Sequence, residues 1–172
     1  IKDIITVPDE TLKKISEPIE KVGINETKLV NDLFETMYKS NGIGLAAVQV
    51  GILKRILVID VSNKDKKNKP IAFINPVIKK VSEETSIYEE GCLSIPDTFI
   101  EIERPKICEV EFIDIKGKIQ NLECDGLLST CIQHEINHLD GKLIIDHLSK
   151  LKRDLIIKKI SKLKKNPDRI IV

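Results

Sequence analysis

Residues 125–141 read D-G-L-L-S-T-C-I-Q-H-E-I-N-H-L-D-G. Leu127, Leu128, Cys131, Ile132, Ile136 and Leu139 recur at helical spacing, which predicts a helix with Asp125 at its N-cap and Gly141 just past its end. Inside it stands His134-Glu135-Ile136-Asn137-His138, an H-E-x-x-H pattern. Residues four apart share one face of a helix, a turn apart, so both imidazoles can reach a single ion at roughly 2.0–2.1 Å. Glu135 lies roughly 100° around the helix from His134, given 3.6 residues per turn. It is offset from the ligand face but close to it, the place of a general base. Three fixed letters also occur by chance on surface helices. The apolar flanks argue that this helix is buried, however, and buried imidazoles and a carboxylate are costly without partners. A metal ion supplies the partner. Only one other histidine exists, His147.

A fold must therefore wrap this helix. Upstream, residues 55–60 (R-I-L-V-I-D), 71–81, 100–102, 107–113 and 119–124 are rich in Ile and Val and predict strands, with Gly117-Lys118 a turn before the last. Leu29, Val30, Leu33, Phe34 and Met37 mark a helix from Thr27 to about Ser40-Asn41-Gly42. Asp9, Glu10 and Thr11 open a short polar turn that Pro18 ends, and residues 62–70 predict an exposed lysine-rich loop. A second helix is expected from about Asp146 to Lys164, with Leu148, Leu151, Leu155, Ile156, Ile160 and Leu163 as its apolar stripe. The expected fold is α+β: short antiparallel β-sheets surrounding a central helix that carries H-E-x-x-H, with a C-terminal helix, as one catalytic domain over residues 1–172.

A catalytic ion needs a third protein ligand and an open position. His147 follows His138 by nine residues, not the six of the metzincin spacing. Asp146 sits awkwardly. Cys92, in Glu89-Glu90-Gly91-Cys92-Leu93-Ser94-Ile95-Pro96, is the upstream candidate, presented between Gly91 and a strand-like segment. Cys108, Cys124 and Cys131 read as ordinary buried thiols. On H-E-x-x-H alone, a zinc peptidase would serve equally well.

Three ordered blocks change that balance. Gly42-Ile43-Gly44-Leu45-Ala46-Ala47-Val48-Gln49, Glu90-Gly91-Cys92-Leu93-Ser94 and Gln133-His134-Glu135-Ile136-Asn137-His138-Leu139-Asp140-Gly141 together resemble the bacterial-type peptide deformylases over nearly the whole chain. The resemblance implies a metal triad of Cys92, His134 and His138, and a general base, Glu135. It implies oxyanion donors at the Gln49 side-chain amide and the Leu93 backbone N–H. It also implies removal of the formyl group from the N-terminal formyl-methionine of newly made polypeptides. Ile43, Tyr88, Leu127, Thr130 and Cys131 match the methionine-pocket positions. Ile43, Gly44 and Gly91 match positions whose backbone pairs with an extended peptide. One divalent ion is implied, Fe²⁺ in the cell, with Zn²⁺, Ni²⁺ or Co²⁺ in purified protein; a thiolate beside Fe²⁺ implies oxygen sensitivity. Two residues depart from the pattern: Asn137, where the family usually has Asp, and Phe99, where many relatives carry Arg.

Composition agrees with such an enzyme. Charged residues are 32% and hydrophobic ones 41%, the net charge is +1, and aromatics are only 3%, so the core is aliphatic and the whole molecule is no polyanion binder. No apolar run approaches 18 residues, so no membrane partner is expected, and the four cysteines suit a reduced compartment. A cytoplasmic monomer is expected, with organelles of bacterial origin the alternative location. Lys150, Lys152, Arg153, Lys158, Lys159, Lys162, Lys164 and Lys165 against Asp154 give the tail a basic face. The face is either simply solvated or a contact for ribosomal RNA, as in bacterial relatives.

Overall fold

The computed structural model describes residues 1–62 and 69–165; the predicted loop at 62–70 therefore lies largely outside the described residues. In order the chain forms α1 (Ile24–Lys39), β1 (Gly44–Ala46), β2 (Ile56–Ile59), β3 (Ile71–Val81), β4 (Thr85–Cys92) and β5 (Ile95–Pro105). It continues through β6 (Ile107–Ile113), β7 (Ile119–Asp125), α2 (Gly126–Leu139) and α3 (Lys150–Lys165). Short 3₁₀ turns at Glu10–Lys13, Ala47–Val50 and Ile144–His147 link them. The α+β expectation holds. An antiparallel sheet runs in the order β1-β2-β3-β6-β7, and β4 and β5 form a separate two-stranded sheet.

Helix α2 packs its apolar side on the large sheet. Cys131, Ile132, Ile136 and Leu139 join Leu57, Phe73, Val110 and Phe112 in one core cluster. Although aromatics are few, Phe73 and Phe112 meet there with ring centroids 4.4 Å apart. α1 covers the sheet elsewhere through Leu29, Val30, Leu33 and Met37. A third cluster joins Ile95 and Ile102 of β5 to Ile144, Ile145 and Ile160.

Several boundaries move. α1 starts at Ile24, three residues before the expected start, because Glu26 accepts a hydrogen bond from the Gly23 N–H at 2.9 Å and caps the added turn. Asp125 holds the N-cap position of α2, but its side chain makes no capping bond; it ends β7, opposite Ile107. The strand expected at 100–102 is the middle of the eleven-residue β5, and β4 appears where no strand was expected. The last helix begins at Lys150, not Asp146. Asp146 instead sits in a 3₁₀ turn, where its Oδ2 accepts from the Leu143 N–H at 2.8 Å. The expected apolar stripe of α3 is also rotated: Ile160 is buried, while Leu151 and Leu155 are 72% and 59% exposed.

The C-terminal end of α2 is fixed by two devices. The Arg55 guanidinium donates to the Leu139 carbonyl at 3.1 Å and to Asp140 Oδ1 at 2.9 Å, satisfying a helix-end acceptor with a positive charge. Gly141 then turns the chain at φ +75°, where a Cβ would stand 2.4 Å from the Lys13 carbonyl oxygen. Both the positive φ and the contact require glycine. We expect Gly141→Ala to lower stability by about 2 kcal/mol or more, read as a fall in denaturant midpoint at unchanged m-value.

Candidate active site

α2 enters the site with its polar face toward the end of β4. Ser129 through Ile136 and His138 are all buried, as the apolar flanks predicted. The Nε2 atoms of His134 and His138 are 3.2 Å apart, and Cys92 Sγ lies 3.3 Å from His138 Nε2. One ligand atom from each of these three residues lies within 4.8 Å of the others, the one such group of His, Cys, Asp or Glu among the described residues. His147 is exposed and lies outside it.

The polarity of the centre suits a cation. His134 Nδ1 donates to Glu90 Oε1 at 2.9 Å, which turns its Nε2 toward His138 and Cys92, where a bound cation would take the place of the Nε2 proton. Burial opposes a charge on His134, but Cys92 and Glu90 outweigh it and raise its pKa to about 10. Burial, followed by the positive His134 and Arg104, pushes His138 well below its usual range, so its imidazole is neutral. A thiol and two imidazole nitrogens converge where negative neighbours attract positive charge. That donor set fits a divalent metal ion with a position left for substrate or water.

Glu135 stands beside the triad, its Oε1 3.8 Å from His134 Nε2. Its Oε2 is buried without a hydrogen-bond partner among the described residues, and burial lifts its pKa to about 7. This matches the quarter-turn offset read from the sequence. Gln49 is held from the opposite side. Its Oε1 accepts from the Ala46 N–H at 2.9 Å, so its amide NH₂ faces Ser94 Oγ at 3.0 Å and Cys92 Sγ at 3.6 Å. Leu93 occupies the turn between β4 and β5 and packs over Gly42.

A cavity of about 540 Å³ opens in front of this centre. Its lining includes Ile43, Gly44, Gln49, Tyr88, Gly91, Cys92, Leu93, Leu127, Thr130, Cys131, His134 and Glu135, so nearly every residue singled out in the sequence meets there. His138 lies behind, 1% exposed. Leu127, which core packing would equally have explained, is 41% exposed at the cavity wall. Cys131 is buried in the cavity wall and its thiol pKa is raised, first by burial and then by Glu135, so it is a neutral wall outside the ligand group.

Backbone phase prepares the cavity's two sides. Asp60 N donates to the Ile43 carbonyl, so of the Ile43 backbone groups expected to meet a peptide the C=O is spent on β2. In an antiparallel ladder the next residue faces the other way. Gly44 therefore turns its N–H and C=O to the open edge of β1. A Cβ on Gly44 would sit 2.9 Å from Glu135 Oε1 and 3.0 Å from Cys131 Sγ, so only glycine lets β1 approach α2 this closely. On β4, Lys106 N donates to the Glu84 carbonyl, and the alternation from that pair turns Glu89 and Gly91 to the strand's free edge.

Two functional residues escaped the sequence analysis, Arg104 and the role of Glu90. Arg104 forms two bonds to the Glu90 carboxylate, Nε to Oε2 at 2.7 Å and Nη2 to Oε1 at 3.0 Å; its Nη1 donates to Asn137 Oδ1 at 2.8 Å. Burial pushes the Glu90 carboxyl up, but His134 and Arg104 outweigh it and hold it below the usual range. The departing Asn137 thus serves as a neutral acceptor for a buried guanidinium. The missed signal was period two: Tyr88, Glu90 and Cys92 on β4 and Ile102 and Arg104 on β5 all alternate inward.

The fold and site together define a metallohydrolase-type centre. Residues 1–154 match the sequence model of the Polypeptide deformylase family. Across 172 residues the chain is 57% identical to the peptide deformylase of Pelagibacter ubique, covering 100% of this chain and 99% of that protein. It is 51% identical over 159 residues to that of Rhizobium meliloti, covering 92% and 91%. The crystal structure of peptide deformylase from Ehrlichia chaffeensis superposes with a TM-score of 0.92 at 43% identity, over 97% of this chain and 98% of that one. The same organism's enzyme in complex with actinonin gives 0.90 at 44%, over 94% and 96%. The chain belongs to the polypeptide deformylase family and is an enzyme of that class.

Glu90 ties the site to its support. We expect Glu90→Gln to weaken divalent-ion affinity ten- to a hundredfold, measured by competition with a chromogenic chelator. The same variant should lose stability of about 3 kcal/mol, because Arg104 stays buried without its anion.

Proposed function

We propose that this chain, as one catalytic unit over residues 1–172, removes the formyl group from the N-terminal formyl-methionine of newly made polypeptides. What carries the proposal is the convergence at one cavity of a Cys-His-His donor set, a partnerless buried carboxylate and a fixed amide donor, between two open strand edges.

Cys92, His134 and His138 would hold the ion, Fe²⁺ in the cell, while Zn²⁺, Ni²⁺ or Co²⁺ would suit the same donors in purified protein. When bound, the ion supplies Lewis acidity and a water acidified toward neutral pH. Glu135 takes the proton of the attacking water and delivers it to the departing amine, a task suited to a carboxyl whose pKa lies near 7. Gln49 Nε2 and the Leu93 N–H donate to the oxygen that gains charge as the formyl carbon becomes tetrahedral. Tyr88, Leu127, Thr130 and Cys131, with the exposed side chain of Ile43, enclose the methionine side chain. Gly44 and Gly91 pair with the peptide backbone, which tolerates many sequences after the methionine.

Formate release from formyl-Met peptides tests this. Wild type should release formate and leave unformylated Met peptides intact; peptide-bond cleavage of the latter would instead favour the peptidase. Glu135→Gln should lose on the order of 10²–10⁴ in turnover. Gln49→Ala should lose about 2.7–4 kcal/mol of barrier lowering, with metal content unchanged in both.

The cellular setting follows from the substrate. The reading places the enzyme as a monomer in the bacterial cytoplasm or an organelle of bacterial descent. No helix among the described residues is long and apolar enough to cross a membrane. Lys150, Lys152, Lys158, Lys159 and Lys162 stand exposed on α3, whereas Arg153 is spent near Asp146 at 3.6 Å and Lys164 on the Thr6 carbonyl. This basic face suits contact with ribosomal RNA, where new chains emerge. Ribosome co-sedimentation should weaken steeply with salt and fall at least tenfold in Lys158→Glu/Lys159→Glu/Lys162→Glu; a salt-insensitive or absent association would remove the contact.

A further inference from the structure

Phe99 is an exposed aromatic that the site described so far does not use. It is 67% exposed, yet it lines the same cavity as Cys92 and Glu135. It stands directly opposite Gly91 across the β4–β5 ladder. Its ring leans over the backbone of Gly91: a Cβ there would meet ring carbons at 2.8 and 3.0 Å. Glycine thus lets a ring rooted on β5 reach across β4 to that strand's free edge, where Gly91 and Glu89 turn their unpaired N–H and C=O groups.

The two faces of this hairpin differ. Tyr88, Glu90 and Cys92 point inward, while Glu89 and Gly91 point outward with Phe99 and Glu101. A peptide added along β4 obeys the same period of two. If the side chain of its first residue enters the cavity beside Tyr88, that of its second residue emerges on the outer face, over the Phe99 ring. That face is acidic. Glu89 and Glu101 are directly opposed across the ladder, a like-charge arrangement that costs energy unless a cation approaches. Neither carboxylate has an ion-pair partner among the described residues.

We propose that Phe99 is a specificity-determining residue that receives the side chain of the second residue of the substrate, favouring Lys or Arg. The aliphatic stem lies on the ring, and the cationic end meets the ring face and the Glu89–Glu101 pair. The proposal rests on the deformylase reading above.

The test is kcat/KM for formate release from formyl-Met-Lys, formyl-Met-Ala and formyl-Met-Glu peptides of otherwise identical sequence. In wild type the Lys peptide should exceed the Ala peptide about two- to fivefold, mostly through KM, and the Glu peptide should fall below it. Phe99→Ala should erase the Lys advantage. Phe99→Leu, which keeps apolar bulk without the ring quadrupole, should retain less than half of it. Glu89→Gln/Glu101→Gln should bring the Glu peptide level with Ala and remove the salt dependence of the Lys:Glu ratio. Unchanged Lys:Ala:Glu ratios in Phe99→Ala would overturn the proposal while leaving the reaction assigned. A wild type that releases no formate even from the Ala peptide would overturn the deformylase reading itself.

Discussion

The burial of charge on α2 governs this molecule. A helix whose polar face holds His134, Glu135 and His138 inside the protein is not stable on apolar contacts alone, because each of those groups loses water. The Glu90–Arg104 pair answers part of that cost. It sets one carboxylate against His134 and one guanidinium against Asn137, both more than nine-tenths buried. The remainder, the converging donor atoms of two imidazoles and a thiol, calls for positive charge at their centre, which a proton on His134 or a bound cation supplies. Structure and chemistry are therefore coupled: the arrangement that makes the helix tolerable inside the protein is the one that builds the centre.

Everything else positions partners for that helix. The five-stranded sheet gives it an apolar floor, and Arg55 with Gly141 fixes where it ends. The β4–β5 hairpin then delivers Cys92 and Glu90 from the opposite side, on alternate residues of one strand. Gln49 arrives from a third direction, locked by the Ala46 N–H, so its amide orientation is set before any substrate is present.

Legibility in the sequence followed range. Local periodicity exposed α1, α2, β3, β6 and β7, since side-chain patterns of 3.6 and 2 are written in adjacent residues. The triad was legible only because His134 and His138 are neighbours on one turn and because the Cys92 block resembled a known family. β4 was obscured by its composition: T-S-I-Y-E-E-G-C places glutamates on both faces, one exposed as expected and one, Glu90, buried for a partner fourteen residues away. Arg104 was missed for a related reason: period two places it on the inward face of β5, but nothing near it in sequence announces the buried carboxylate that it meets. The start of α3 was misplaced because Asp146 serves a 3₁₀ turn, whose i to i+3 chemistry imitates a helix N-terminus.

The open edges of β1 and β4 carry a consequence for how this cleft can change over evolutionary time. The hydrogen-bonding groups presented by Gly44, Glu89 and Gly91 belong to the main chain, and no codon change alters them short of proline. Glycine at 44 is further pinned by the buried Glu135 and Cys131 side chains, which leave no room for a Cβ. Divergence is thereby channelled into the few side chains around the mouth, so the cleft can drift in which chains it prefers while the means of holding a chain stays constant.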